Sequence, residues 1–248
     1  MGDIKKILGD KMKEQHKRTV SLIGETAQKK LCDSHVCIFG IGGVGGYVAE
    51  ALSRAGVGRL TLVDHDVVSV SNINRQIYAL HSTLGMKKVE AARRRIADID
   101  PDIEVICRDE FFLPENSADF DFTVFDYVCD CVDTVSAKIE LVIRSKEAGV
   151  PIISSMGTAN KLDAAAFEIS DIKKTEMCPL ARVMRKELKQ RGIKDLKVVY
   201  SKEEPRRPRI VEYSESKKLV PASISYAPAT AGLILASEVI SDIIGKDI

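Results

Sequence analysis

A glycine-rich turn set between an apolar strand and a helix constrains this chain more than any other feature. His35-Val-Cys-Ile-Phe-Gly40 is suited to a buried strand and runs into Gly40-Ile-Gly-Gly-Val-Gly-Gly46. The spacing predicts a helix over 47–55, a turn at Gly56-Val-Gly58 and a second apolar strand, Arg59-Leu-Thr-Leu-Val-Asp64. Two strands joined through a helix in about thirty residues form a β-α-β unit, whose strands run parallel. Gly40, Gly42 and Gly45 fit G-x-G-x-x-G. In that setting small residues let a phosphate approach the N–H groups at a helix N-terminus.

The alternation continues downstream. Helical spacing over 87–99 stops at Asp100-Pro101, and 103–107 reads as the next strand. A further strand over 126–133, a helix over 136–148 and a strand over 150–155 follow. The expected fold class is therefore α/β: a Rossmann-like, doubly wound, mostly parallel sheet. Ligands in such sheets sit at the carboxyl ends of strands, where Gly40, Asp64 and Asp133 fall. Beyond Gly157 the pattern changes to alternation over 164–169, then a polar basic segment, then an amphipathic helix over 227–244. These features predict a C-terminal antiparallel and helical extension.

Composition removes several classes. With 248 residues, 45% of them apolar, the chain can bury roughly 70–75% of its unfolded surface without disulfides. The 37 basic and 36 acidic residues nearly cancel, so any polyanion-binding signal must be local. Residues 1–18 are charged and hold no apolar h-region, and Lys6 stands where a myristoylation motif wants Ser or Thr. Ser237, Glu238, Ser241 and Asp242 interrupt the late apolar stretch, which argues against a membrane span; a cytoplasmic protein without a membrane partner is expected. Six cysteines include no C-x-x-C pair, so reduced and mostly buried thiols are expected rather than a four-Cys zinc site.

Asp64 lies nineteen residues past Gly45, where a carboxylate accepts hydrogen bonds from ribose hydroxyls. To this point a nicotinamide dehydrogenase fits equally well. The segments that follow discriminate: Asp64-His-Asp66, Ser71-Asn-Ile-Asn-Arg-Gln76 and Gly85-Met-Lys-Lys88 add carboxylates, amides (Asn72, Asn74, Gln76) and cations. Attack at the α-phosphorus of a triphosphate builds negative charge on phosphoryl oxygens, and Arg75 and Lys88 are suited to stabilise it. Asp133 offers the oxygen ligand that Mg²⁺ prefers.

At these residues the chain resembles the ubiquitin-activating-enzyme superfamily. The resemblance runs from about 18 to 156, with the glycine run, Leu62-Val-Asp-His-Asp66, Ser71-Asn-Ile-Asn-Arg-Gln76, Lys87-Lys-Val-Glu90 and Cys129-Asp-Cys-Val-Asp-Thr134 in family order. It implies ATP held by Gly43, Asp64, Asn72, Arg75, Lys88 and Asp133, in a homodimer where Arg18 reaches the neighbouring subunit's phosphates. It also implies a single adenylating domain over 1–248, with a nucleotide-binding core over 18–156 and a substrate-binding and dimerisation extension over 157–248.

The sulfur-carrier branch of that superfamily commonly carries two zinc-binding C-x-x-C pairs, and this sequence has none. Thr19-Val-Ser-Leu-Ile-Gly-Glu25, Cys178-Pro-Leu-Ala-Arg-Val-Met-Arg-Lys-Glu-Leu188 and Pro221-Ala-Ser-Ile-Ser-Tyr-Ala-Pro-Ala-Thr-Ala-Gly232 are instead similar to the tRNA threonylcarbamoyladenosine dehydratases. This resemblance implies ATP-dependent cyclisation of a modified adenosine beside the anticodon through an acyl-adenylate. A tRNA substrate and a sulfurtransferase or other accessory protein are the partners it suggests. Local charge agrees, since 173–218 holds fifteen Lys or Arg against seven Asp or Glu, among them Arg182, Arg185, Lys186, Lys189, Arg206, Arg207 and Arg209. Few aromatics accompany them, which favours backbone contact over base stacking. Cys178 reads as the start of a helix rather than a thioester-forming nucleophile, and the four histidines show no ligand or triad spacing. A sulfur-carrier adenylyltransferase, a nicotinamide oxidoreductase and a non-catalytic tRNA-binding module are the rival readings.

Overall fold

The computed structural model describes residues 13–213 and 219–245. Most of the charged N-terminal stretch, and Lys217 and Lys218 of the basic segment, lie outside the described residues. Seven strands form one sheet: β1 (His35–Phe39), β2 (Arg59–Val63), β3 (Glu104–Arg108), β4 (Tyr127–Asp130), β5 (Ile152–Ser155), β6 (Phe167–Asp171) and β7 (Lys197–Ser201). Their spatial order is β3-β2-β1-β4-β5-β7-β6. All neighbours pair in parallel except β6 with β7. Winding reverses between β1 and β4, so the sheet opens a crevice at their carboxyl ends.

Among the described residues six α-helices cover the sheet: α1 (Lys17–Asp33), α2 (Gly45–Ala55), α3 (Lys88–Ile99), α4 (Val135–Ala148), α5 (Pro179–Gln190) and α6 (Tyr226–Ile244). Strand alternation sorts side chains between two cores. Val36 and Ile38 of β1 pack with α1, α2, α3 and α6, whereas Cys37 and Phe39 pack with α4, α5 and a cluster of phenylalanines. Gly24 breaks the helical path inside α1 with a φ of 82°. In α6, Gly232 permits close packing, because a Cβ there would lie 2.5 Å from the Val44 carbonyl oxygen. That helix is long and apolar enough to cross a membrane, yet Ala227, Ala231, Leu235 and Val239 are buried in the core. Burial of this face accounts for its apolar character.

The structure departs from expectation in four places. β4 ends at Asp130, so Asp133 sits three residues beyond the strand, on the loop entering α4. Cys131, inside the strand expected over 126–133, likewise lies beyond β4 and packs against the same core as Cys129. Third, β7 arises inside the segment read as polar and basic: Lys197-Val-Val-Tyr-Ser201 is a short apolar run between charged stretches, and pairing with β5 and β6 fixes it as a strand. Residues 164–166 form a 3-10 turn, and only the following stretch is strand β6.

Candidate active site

A cleft of about 480 Å³ opens where β1, β2 and β4 end, a size ordinary for a small-molecule site. Gly40, Gly42, Gly43, Asp64, Asp66, Asn72, Arg75, Gln76, Lys88 and Asp133 all line it. Each glycine does a different job. Gly40 takes a φ of 86° and passes so near the Cys131 backbone that a Cβ would lie 2.8 Å from its carbonyl oxygen. Gly45 does not line the cleft; it lets α2 pack on the turn, since a Cβ there would meet the Gly40 carbonyl oxygen at 1.8 Å. At Gly42 the nearest atom to a Cβ is Gln76 Nε2 at 3.7 Å. With no side chain at 42, the backbone stays open toward the cleft. The α2 N-terminus has no side-chain cap; the Gly46 and Tyr47 N–H groups are taken by the Gly42 and Val44 carbonyls, so the cleft-lining turn residues Gly42, Gly43 and Val44 are the ones placed to offer N–H groups to an anion.

Asp64 is buried and fixed by two backbone donors: the Ile41 N–H reaches Oδ2 at 2.7 Å and the Asp66 N–H reaches Oδ1 at 2.8 Å. Lys88, at the first turn of α3, is buried and donates to Asp66 Oδ2 at 2.6 Å, with Asp64 Oδ2 at 3.9 Å. Asp66 thus holds a cation in place instead of standing as an isolated acid. Ligand atoms of Asp64, His65 and Asp66 lie within 4.8 Å of one another. The Lys88 ammonium and the two N–H donors already compensate this cluster, which fits hydroxyl recognition better than a divalent cation.

Asn72 is buried and accepts the Ser69 N–H at 3.1 Å, which shapes the turn between 69 and 76. Arg75 is half-buried and anchored by donation to the Ser71 carbonyl and Asn74 Oδ1, both at 2.9 Å. Asn74 does not line the cleft; it steadies Arg75 and donates to the Ser223 carbonyl at 3.3 Å. Asp133 is exposed on the cleft wall beside Thr134. Its freely accessible carboxylate, facing the same space as Arg75 and Lys88, is the kind of oxygen donor that fits Mg²⁺. Arg18 is exposed on α1 and does not line the cleft of its own chain.

Sequence reasoning missed the support beneath Asp133. Asp130 and Lys138 are fully buried and paired at 3.0 Å. Lys138 also donates to the Val132 carbonyl at 3.0 Å, and Ser154 donates to the second Asp130 oxygen. The signal available was a lysine in the otherwise apolar run Ala137-Lys-Ile139 of α4. Also missed were the walls contributed by Phe111, Phe112 and the 155–159 loop, which give the cleft an apolar side. Cys178 is buried in the second core with α4 and α5. Burial pushes the thiols of Cys37, Cys129 and Cys131 well above their ordinary range, which leaves them packing groups.

The predicted basic residues divide. Arg182, Lys186 and Lys189 lie exposed along α5, whose first turn reaches the cleft through Leu180. Arg185 is half-buried and donates to the Thr175 carbonyl at 2.7 Å, so it braces α5. Arg206 pairs with Glu203 at 2.6 Å, whereas Arg207 and Arg209 are exposed. Burial opposes ionisation of Glu203, but Arg206 and the Asp163 and Leu162 N–H groups hold its carboxyl down to about 2.

The ThiF family matches residues 15–248. A tRNA threonylcarbamoyladenosine dehydratase of Bacillus subtilis is 42% identical over 247 residues, covering 96% of this chain and 97% of the relative. One from Escherichia coli is 37% identical over 183 residues, covering 74% and 68%. The solved E. coli dehydratase TcdA in complex with ATP superposes with a TM-score of 0.84 at 32% identity, covering 92% of this chain and 93% of that one.

Proposed function

Since the chain belongs to the ThiF family and, within it, to the tRNA threonylcarbamoyladenosine dehydratases, we propose that it cyclises threonylcarbamoyladenosine in tRNA at the expense of ATP. The threonyl carboxylate attacks the α-phosphorus, pyrophosphate departs and an acyl-adenylate forms. The neighbouring carbamoyl nitrogen then attacks the acyl carbon, loses its proton, and AMP leaves with the former carboxylate oxygen. The nucleoside is lighter by one water. Both partners of the second step belong to one substrate, so holding them together supplies much of the rate and no protein nucleophile is needed.

One observation carries this reading: Asp64, Lys88, Arg75, Asp133 and the glycine turn that leads into α2 all face a single cleft. In the proposed assignment Asp64 takes the ribose hydroxyls, and the glycine turn takes phosphate oxygens. Asn72 and Gln76 offer amides, and Arg75 and Lys88 stabilise charge on the reacting phosphoryl group. Lys88 is already fixed by Asp66, so little reorganisation accompanies the reaction. Asp133 would hold Mg²⁺, which when bound neutralises triphosphate charge. We further infer that Arg18 serves the neighbouring subunit's cleft in a homodimer; its position on an exposed helix outside its own cleft supports this. The reading includes a core over 18–156, an extension over 157–248 that carries the tRNA surface, a cytoplasmic setting, and a sulfurtransferase or other accessory protein as a further partner.

Pyrophosphate exchange tests the proposal. Exchange into ATP should depend on threonylcarbamoylated tRNA and should be absent with a small carrier protein ending in Gly-Gly. The reverse dependence would identify a sulfur-carrier adenylyltransferase instead.

A further inference from the structure

At the outer rim of the cleft stands a segment that the adenylation machinery does not use. Asn160, next to the cleft-lining Ala159, has a left-handed φ of 60°. Its N–H donates to the Ala222 carbonyl at 2.8 Å, its carbonyl accepts the Arg206 N–H at 2.8 Å, and its Oδ1 accepts the Ala222 N–H at 3.0 Å. One residue therefore ties both roots of the intervening segment to the rim. Within it, the cleft-lining Val220 donates its N–H to the Glu212 carbonyl at 2.9 Å, and Tyr213 bridges Leu219. Tyr213 thus stands beside Leu219, the sequence neighbour of the cleft-lining Val220.

Despite that fixed position, Tyr213 is 69% exposed and Ile210 is 79% exposed. Arg207 and Arg209 stand exposed on the same arm. Unpaired RNA is recognised by stacking splayed bases on aromatic rings while cations neutralise the backbone. The ring carries no charge to neutralise a phosphate, and an exposed ring contributes little to the core. We propose that Tyr213 is a stacking platform for an unpaired nucleotide adjoining the one whose carboxylate enters the cleft, with Arg207 and Arg209 on the flanking phosphates. This rests on the tRNA reading above. It adds base stacking to the backbone contact that the sequence favours.

The chain contains no tryptophan, so Tyr213→Trp introduces a single reporter at the platform. Its fluorescence should be quenched by threonylcarbamoylated tRNA and not by a fully base-paired RNA of equal length. Tyr213→Ala should raise KM for tRNA about 5- to 100-fold with little change in KM for ATP, and Tyr213→Phe, which keeps the ring, should restore affinity. Arg209→Ala should instead flatten the salt dependence of binding. Wild-type conversion together with an unchanged KM in Tyr213→Ala overturns the platform alone, as does equal quenching by paired RNA. Quenching by a protein partner but not by tRNA assigns the surface to protein docking and overturns it as well. Failure of the wild-type enzyme to convert the tRNA overturns the underlying reading.

Discussion

Lys88 is the residue on which the site's electrostatics turn. It is a buried cation held 2.6 Å from Asp66, at a helix start that faces the cleft. Removing a preorganised charge of this kind typically costs about 10²–10³ in rate. Lys88→Ala and Asp133→Ala should each lose that much pyrophosphate exchange while circular dichroism stays native. Two other buried groups set the response to acid. Burial lowers the His35 imidazole below its ordinary value, aided by Arg59, and its ring bonds Thr61 Oγ1 at 2.8 Å and the Val124 carbonyl at 3.1 Å. Burial likewise lowers His16, although Asp100 opposes the shift. Both rings are favoured neutral in the fold, so their stabilisation is whole above about pH 6.5 and is lost as pH falls through the lower folded values. The melting temperature should fall between pH 7 and pH 5, and His35→Gln should reduce the fall. An unchanged melting temperature over that range would contradict the assignment.

Element by element, the loop from β4 to α4 is the part whose mechanics differ most from its sequence. The buried Lys138 links Asp130 to the Val132 carbonyl, one residue from Asp133. Lys138→Met should destabilise the protein by about 3–5 kcal/mol, because it leaves a buried carboxylate uncompensated. Asp130→Asn combined with Lys138→Met should recover part of the loss, measured by denaturant unfolding. The pair was at most half legible: Lys138 interrupts the apolar run Ala137-Lys-Ile139, but nothing local in the sequence names Asp130 as its partner. Gly40, Gly42 and Asp64 were legible for the opposite reason: their roles are fixed within one β-α-β unit, so local spacing suffices. The strand β7 and the Asn160 tie were not, since each depends on partners distant in sequence. Arg185 and Arg206 illustrate the same limit, because charge pattern cannot reveal that one braces Thr175 and the other pairs Glu203.

Across the whole molecule, a single sheet carries the adenylation cleft on one edge of its switch point and basic surfaces along α5 and residues 206–209. The proposed dimer has a direct consequence. If Arg18 serves the partner's cleft, mixing Arg18→Ala with Lys88→Ala should restore activity, because a hybrid dimer holds one intact site. With random exchange about a quarter of sites recover, as expected for a two-fold assembly. No recovery would keep Arg18 within its own subunit or outside the reaction. The central claim, that one cleft activates a carboxylate on tRNA for ring closure, is tested most directly by nucleoside mass analysis. Purified protein, ATP, Mg²⁺ and threonylcarbamoylated tRNA should yield a nucleoside lighter by one water, only when ATP is present. Hydrolysis of ATP with an unchanged nucleoside mass would contradict it.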